Sequence, residues 1–383
     1  MLIVGGHFNG GILSDGSMLY PFSSFTFTSN IVGPTGPTLG NLYSLYSTVG
    51  NSWVSSTSYL TVIPSWQGYQ IWTVPSTGLY QITVAGSRSG VITAFTGNTT
   101  YGNAHGRGAI VQGTFALTQG QQLTIVSGQP SANTTQPSTY SSPGGGGGSF
   151  VMKGNIATGF ANVTPLIIAG GGGAPGAWSS NTSILAGGYG VTTKRGGNSA
   201  GYITATGISS RTGAPGGING LGGNTHVNVN GVSSLNSYDS GGGGGYSGNG
   251  ISYGSSLWTS NVYLASSTTG GGGNSIQFGA VGGIYSTTYP PPSTSQGGFG
   301  CGGGAGPITG GGGGGYSGGG GAFGGSATTI DSGGGGGSFI DGNAISVATS
   351  DGQYDANTSF NGASITNLGN YNNAAGYINI VKV

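Results

Sequence analysis

Gly310-Gly311-Gly312-Gly313-Gly314-Gly315-Tyr316-Ser317-Gly318 is the stretch on which the reading of the fold turns. The same phrase, a glycine run closed by small polar and aromatic residues, recurs three times. It stands at Gly144–Gly148 with Ser149 and Phe150, at Gly241–Gly245 with Tyr246, and at Gly333–Gly337 with Ser338 and Phe339. Shorter relatives are Gly170–Gly173, after Pro165-Leu166-Ile167-Ile168-Ala169, and Gly270–Gly273. Glycine loses more backbone entropy on ordering than any other residue, so such runs usually serve as linkers. These runs are bounded by apolar and aromatic residues and return as blocks, which linkers do not. Ordered polyglycine has a physical solution in the polyproline-II helix, with three residues per turn and no internal hydrogen bonds. Several such helices, lacking Cβ atoms, can lie side by side and pair every buried N–H with a neighbour's carbonyl. The sequence therefore predicts a bundle of packed polyglycine-II helices, each five-glycine run spanning roughly 15 Å.

Outward from the runs, the pattern is β. Phe25-Thr26-Phe27-Thr28, Tyr69 to Pro75, Leu79 to Gly86, Gly108 to Leu117 and Gln122 to Ser127 read as short strands separated by turn residues. Ser149 to Met152 and Pro165 to Ala169 continue the series, and Gly376 to Val383 is an alternating strand with no turn after it. A terminal strand is stable only when paired, so this one is expected back in the first sheet. Gly33-Pro34-Thr35-Gly36-Pro37-Thr38 reads as a turn or extended link, and no segment shows a convincing helical period. The expected fold is an all-β sandwich with an inserted glycine bundle and little or no α-helix. The expected divisions are an N-terminal arm over 1–24, a β-sandwich over 25–169, the bundle over 170–340, and a return to the sandwich over 341–383.

Composition narrows the function. The 383 residues carry seven Lys plus Arg against six acidic residues, a net charge of +1. No basic stripe is available for phosphates, which argues against nucleic-acid binding. A near-neutral chain with little charge repulsion suits a protein held in an assembly. No stretch approaches 18 apolar residues, so no membrane insertion is expected. Cys301 is the single cysteine, and no secretory signal is visible at Met1-Leu2-Ile3-Val4. Both point to synthesis in a reducing cytosol. The sequons at Asn98, Asn133, Asn162, Asn181 and Asn357 are read as chance occurrences.

His7, His105 and His226 lack ligand-spaced partners, the many Gly-X-Gly-X-X-Gly matches open no helix, and six carboxylates leave few acid–base pairs. The chain is read as non-enzymatic, with no catalytic, cofactor-binding or metal-binding residue. Candidate contacts for a ligand or partner are the rings in the spacers: Trp258, Tyr253, Trp178, Tyr189 and Tyr289. The competing reading makes these rings caps on the open ends of the glycine layer.

The order of Gly33 to Thr38, Gln70-Ile71-Trp72 with Pro75, Tyr80 and Ile82 begins a likeness to a known family. Gly113-Thr114-Phe115, Leu123 to Val126 with Gly128-Gln129, the Gly144 run with Phe150, and Pro165 to Gly170 continue it. Gly297-Gly298-Phe299-Gly300, the Gly310 run with Tyr316, and Gly376 to Ile380 complete it. This series, over residues 25–383, resembles the glycine-rich extracellular domain of the anaplastic lymphoma kinase and leukocyte tyrosine kinase receptors. The resemblance implies a tumour-necrosis-factor-like (jelly-roll) β-sandwich carrying hexagonally packed polyglycine-II helices. The receptor domains bear disulfides, which one cysteine cannot form, so their cytokine binding does not transfer. The glycine-helix device also resembles the tip adhesins of T-even phage tail fibres. The first expectation is a structural or surface protein of a virion (capsid, spike or fibre), partnered by other subunits or by itself. The alternatives are an adhesin gripping a host glycan or receptor, and a receptor-like extracellular ligand-binding module.

Overall fold

The computed structural model describes residues 18–93, 104–134, 142–177, 184–200, 203–204, 207–208, 213–225, 239–252, 270–284, 295–324, 331–355, 360 and 363–383. In chain order its elements are β1 (Ser24–Thr28), α1 (Leu39–Tyr46), β2 (Leu60–Val62), β3 (Gln70–Thr73), β4 (Gly78–Ala85), β5 (Ile110–Leu117), β6 (Gln122–Val126), β7 (Ser149–Lys153) and β8 (Thr164–Ala169). Then come the two-residue pieces β9 (Gly176–Ala177), β10 (Ile184–Leu185), β11 (Ile203–Thr204) and β12 (Gly207–Ile208). The chain closes with β13 (Phe339–Ile340), β14 (Val347–Thr349), β15 (Ile365–Asn367) and β16 (Tyr377–Lys382).

Two six-stranded sheets form an all-β sandwich, in the orders β1-β16-β4-β5-β14-β15 and β13-β8-β7-β6-β3-β2. Pairing is antiparallel except for β14 with β15. The last strand lies between β1 and β4, with Ile380 opposite Phe25 on one side and Ile82 on the other. Between the sheets, Phe25, Phe27, Tyr80, Ile82, Val84, Ile378 and Ile380 of the first meet Trp72, Leu123, Ile125, Val151 and Leu166 of the second. Each large side chain buried there is worth about 1.5–3 kcal/mol relative to exposure.

The two sheets read differently along the sequence because they are covered differently. The first is buried on one face, so β1, β4 and β16 alternate between buried and partly exposed positions. The second is buried on both: β3, β6, β7 and β8 are nearly continuous runs of buried residues. Its outer face carries Ile71, Val126, Phe150, Met152 and Ile168, which pack against Ile276, Ala280, Phe299 and Cys301 from the glycine-rich segments. A bulge between β7 and β8 leaves Leu166 unpaired, and both Leu166 and Ile167 join the inter-sheet core.

Two segments differ from the sequence reading. Residues 18–23, taken as the end of an arm, enter the core: Tyr20 and Phe22 are buried, and Tyr20 stacks on Trp53 with centroids 5.0 Å apart. The link ending at Thr38 is the N-cap of α1, where the Thr38 hydroxyl and the Asn41 side chain form a reciprocal capping box. Only Leu42 and Tyr46, four residues apart, are buried on this two-turn helix, too few positions to reveal a period.

The glycine runs are buried and lie outside both sheets. Around Gly310–Gly315 the backbone bonds repeat every third residue. Gly312 and Gly315 donate to the carbonyls of Gly241 and Gly244 (3.0 and 3.3 Å), Gly313 and Tyr316 to those of Gly334 and Gly337 (2.9 and 2.8 Å), and Gly314 to that of Gly146 (2.9 Å). In return the Gly311 and Gly314 carbonyls accept from Ala174 and Gly171, Gly312 from Gly303, and Gly313 and Gly310 from Gly319 and Ala322. One run is thus bonded to six surrounding segments. The same period holds at Gly333 and Gly336, which donate to Ala174 and Gly171, and at Gly241 and Gly244, which donate to Gly304 and Cys301. The layer is not confined to 170–340. Gly146 and Gly148 donate into it at Gly172 and Gly300, and Ser87, Gly106 and Gln129 accept or donate at its edge.

Candidate functional site

The direction of each pass through the glycine layer decides where the rest of the chain emerges. Gly144–Gly148 runs directly into β7, Gly333–Gly337 into β13, and β8 into Gly170–Gly173. One end of the layer is therefore joined to the sandwich. Tyr246, Tyr316 and Phe339 stand at this end, and the described passes reverse there through short turns at Ser247–Gly248, Ile276–Gly279, Gly300–Cys301 and Ser317.

The opposite end is marked by Ser240, whose hydroxyl donates to the Gly310 carbonyl (2.7 Å), and by Ser332, whose carbonyl accepts from Ala200 (3.1 Å). The residues that flank eight connections lie here: 94–103, 135–141, 178–183, 201–212 (which includes β11 and β12), 226–238, 253–269, 285–294 and 325–330. Hydrogen bonds tie their flanks to that end. Ala104 accepts from Gly187, Asp239 from Gly270, Ile284 from Gly271, Ser295 from Ala305, and the Ser252 hydroxyl from Gly272. The segments on either side of 135–141 meet where the Ser131 hydroxyl donates to the Gly144 carbonyl, and Asn224 accepts from Gly321 just before 226–238.

Two buried carboxylates hold this far end. Asp239 accepts from the amide of Gly324 (3.0 Å), and Asp331 accepts from the amides of Phe323 (3.3 Å) and Ser332 (2.8 Å). They clamp consecutive amides just before residues 325–330. Burial raises the Asp331 carboxyl to about 7, the two amides oppose that rise, and the neighbouring Asp239 adds to it.

Of the rings singled out in the sequence, Tyr189 alone falls in the described structure; Trp258, Tyr253, Trp178 and Tyr289 lie outside the described residues. Tyr189 is 42 % exposed, packs on Tyr371 with centroids 5.1 Å apart, and has the Arg107 guanidinium 5.7 Å from its centroid. It sits on the flank of the layer, since Gly190 donates to the Arg107 carbonyl and Val191 to that of Gly336.

A row of half-buried rings stands at the sandwich end, Phe160–Tyr246–Tyr316–Phe339; the last three were legible in sequence only as the closing residues of the runs, and Phe160 was not legible at all. Its centroids are spaced 4.9, 6.3 and 4.7 Å, and Lys194 lies over Phe339. Tyr246 and Tyr316 stack nearly parallel, and the Tyr246 hydroxyl donates to the Val163 carbonyl. These rings spend their faces on one another and cap the layer. Cys301 is buried in the junction, and burial pushes its thiol well up, so it is no nucleophile at neutral pH. Two shallow clefts beside α1, of 340 and 270 Å³, contain no charged side chain. Among the described residues no three His, Cys, Asp or Glu side chains gather as a metal site.

No protein-family model matches this chain, and no curated protein matches it.

Proposed function

We propose that this chain is a non-enzymatic surface protein, a virion component of the capsid, spike or fibre kind, and that it serves there as the recognising tip. The observation that carries this reading is the gathering of the residues that flank eight connections at one end of a hydrogen-bonded glycine layer, opposite the sandwich. Loops displayed from a rigid scaffold are where binding residues concentrate. The three-residue bonding period and the six neighbours of one run support polyglycine-II helices in hexagonal packing as that scaffold. The tumour-necrosis-factor-like kinship of the sandwich belongs to the same proposal. Near-zero net charge suits contacts through broad uncharged surfaces to other subunits or to a second copy. The adhesin reading, with a host glycan or receptor as partner, is therefore preferred to a purely architectural one.

Replacing residues 253–269 with a short Gly-Ser link tests it, because Ser252 and Gly272 already touch and the scaffold is kept closed. The expected result is lost attachment to cells, with assembly and thermal stability retained. Trp258→Ala alone is expected to cost most of the attachment, since binding energy concentrates in a few aromatic anchors. Attachment that survives both changes would return the protein to an architectural role.

A further inference from the structure

Three strand-like segments of the flank lie side by side. Gly190 donates to the Arg107 carbonyl (2.8 Å), while Gly108 and Asn372 exchange backbone bonds (2.9 and 2.8 Å). This ladder brings Tyr189, Arg107 and Tyr371 onto one surface. Arg107 is the unusual member. Among the described residues its guanidinium has no hydrogen-bond or ion-pair partner, and its Nε is buried and unpaired. Two other described cations are engaged: Arg88 donates to the Ser89 carbonyl and to Asn133, and Lys153 pairs with Asp341 at 2.9 Å. A buried unpaired donor calls for an explanation. Here the Arg107 residue as a whole is half-buried, while Tyr189 backs the guanidinium. An arginine stacked on an aromatic presents its fork of donors to a planar oxyanion.

We propose that Arg107, backed by Tyr189 and Tyr371, is the anion-binding element of a shallow site for the carboxylate of an acidic sugar. The surroundings select this class. Asp351 stands behind Tyr371, accepting from its hydroxyl (3.3 Å) and from Thr192 (2.9 Å), so the patch is close to neutral and disfavours polyanions. The exposed tyrosine edge and the exposed Asn373, paired with the neighbouring His105, offer the apolar and amide contacts that sugar rings and hydroxyls use. The site uses no residue of the far end, so it stands or falls independently of the recognising-tip reading.

Titration of the full chain with glucuronic acid, its methyl ester and inorganic phosphate tests the assignment. Binding of glucuronate in the millimolar range is expected, with the ester at least about tenfold weaker because the bidentate charge-assisted pair is gone. Arg107→Lys, which keeps the charge and loses the fork, is expected to weaken glucuronate by about tenfold. Arg195→Ala, at an exposed arginine elsewhere, leaves it unchanged, as does replacement of residues 253–269. Glucuronate should also protect Arg107 of the unaltered protein from phenylglyoxal, a readout that requires no variant to fold. Equal binding of acid and ester, full binding by Arg107→Lys, absence of glucuronate protection, or preference for phosphate would each overturn the proposal.

Discussion

A single Cβ placed inside the glycine layer measures how tightly its passes are joined. At Gly313 the added atom would overlap the Gly171 carbonyl and come within 2.9 Å of the Gly336 nitrogen. Those two groups are bonded to each other, Gly336 donating to Gly171 at 2.9 Å, and Gly313 itself donates to Gly334 at 2.9 Å. To clear the methyl, the run must withdraw from both neighbours at once. Each buried group left unpaired costs about 1–3 kcal/mol, and overpacking a filled interior costs about 1–3 kcal/mol. Because backbone shifts preserve part of the bonding, Gly313→Ala is expected to destabilise by about 3–5 kcal/mol. Gly40 provides the contrast: it is exposed on α1, and its added Cβ would have the Thr38 hydroxyl 3.8 Å away as nearest neighbour. Gly40→Ala is expected to stabilise by up to about 1 kcal/mol through helix propensity. Urea unfolding followed by circular dichroism compares the two midpoints. A Gly313→Ala protein that unfolds at the wild-type midpoint would sink the reasoning, since the runs would then be loose enough to accept a side chain.

Two further outcomes follow from buried polar groups. Asp331 has its pKa raised from an ordinary value of 3.8 to about 7, so the folded chain holds an extra proton between those limits. Its contribution to stability is present in full below about pH 4 and is lost as pH rises through about 7; a midpoint difference between Asp331→Asn and wild type that stays flat from pH 4 to 8 would contradict this. Ser149 bridges the junction, accepting from the Gly128 amide (2.9 Å) and donating to the Ala85 carbonyl (2.7 Å) while fully buried. Ser149→Ala is expected to cost about 1–3 kcal/mol, whereas Ser47→Ala, whose hydroxyl bonds the Ser44 carbonyl at an exposed site, should stay within about 0.5 kcal/mol of wild type. Equal effects in denaturant would show that Ser149 is not a structural bridge.

The sandwich was legible where side chains alternate or cluster. Phe25 to Thr28, Leu79 to Ala85 and Tyr377 to Lys382 declare strands of the first sheet because one face is buried. The runs Gln122 to Val126 and Pro165 to Ala169 declare strands, but not why both faces are apolar. That reason lies in Ile276, Phe299 and Cys301, more than a hundred residues away. Short elements were invisible for lack of length: α1 buries two residues, and β13 to β15 span two or three residues each. Phe22 and Tyr20 were assigned to an arm because the sequence before Ser24 carries no period, although both end in the core.

The candidate surfaces were legible only in part, and the missing piece was direction. Each of the runs beginning at Gly241 and Gly333 is preceded by Asp-Ser and followed by an aromatic, so both cross the layer the same way. After Tyr246 and Tyr316 the chain turns within a few residues and returns, Gly250 donating to Gly273 and Gly319 to Gly313. Short reversals therefore collect where the aromatics are, and the residues flanking the long spacers collect where the aspartates are. This follows from the asymmetry of the repeated phrase, which could have been read before any coordinates. What no pattern in the chain carries is the meeting of Arg107, Tyr189 and Tyr371. Their segments are adjacent only because the Gly190 amide reaches the Arg107 carbonyl and Gly108 pairs with Asn372. A flank assembled from three distant stretches leaves no local signature, and only the unpaired guanidinium marks it. The two surfaces thus call for different experiments, loop replacement at the far end and a fork-removing substitution at Arg107. A protein that loses cell attachment by the first and retains glucuronate by the second would be one scaffold with two separable recognition surfaces.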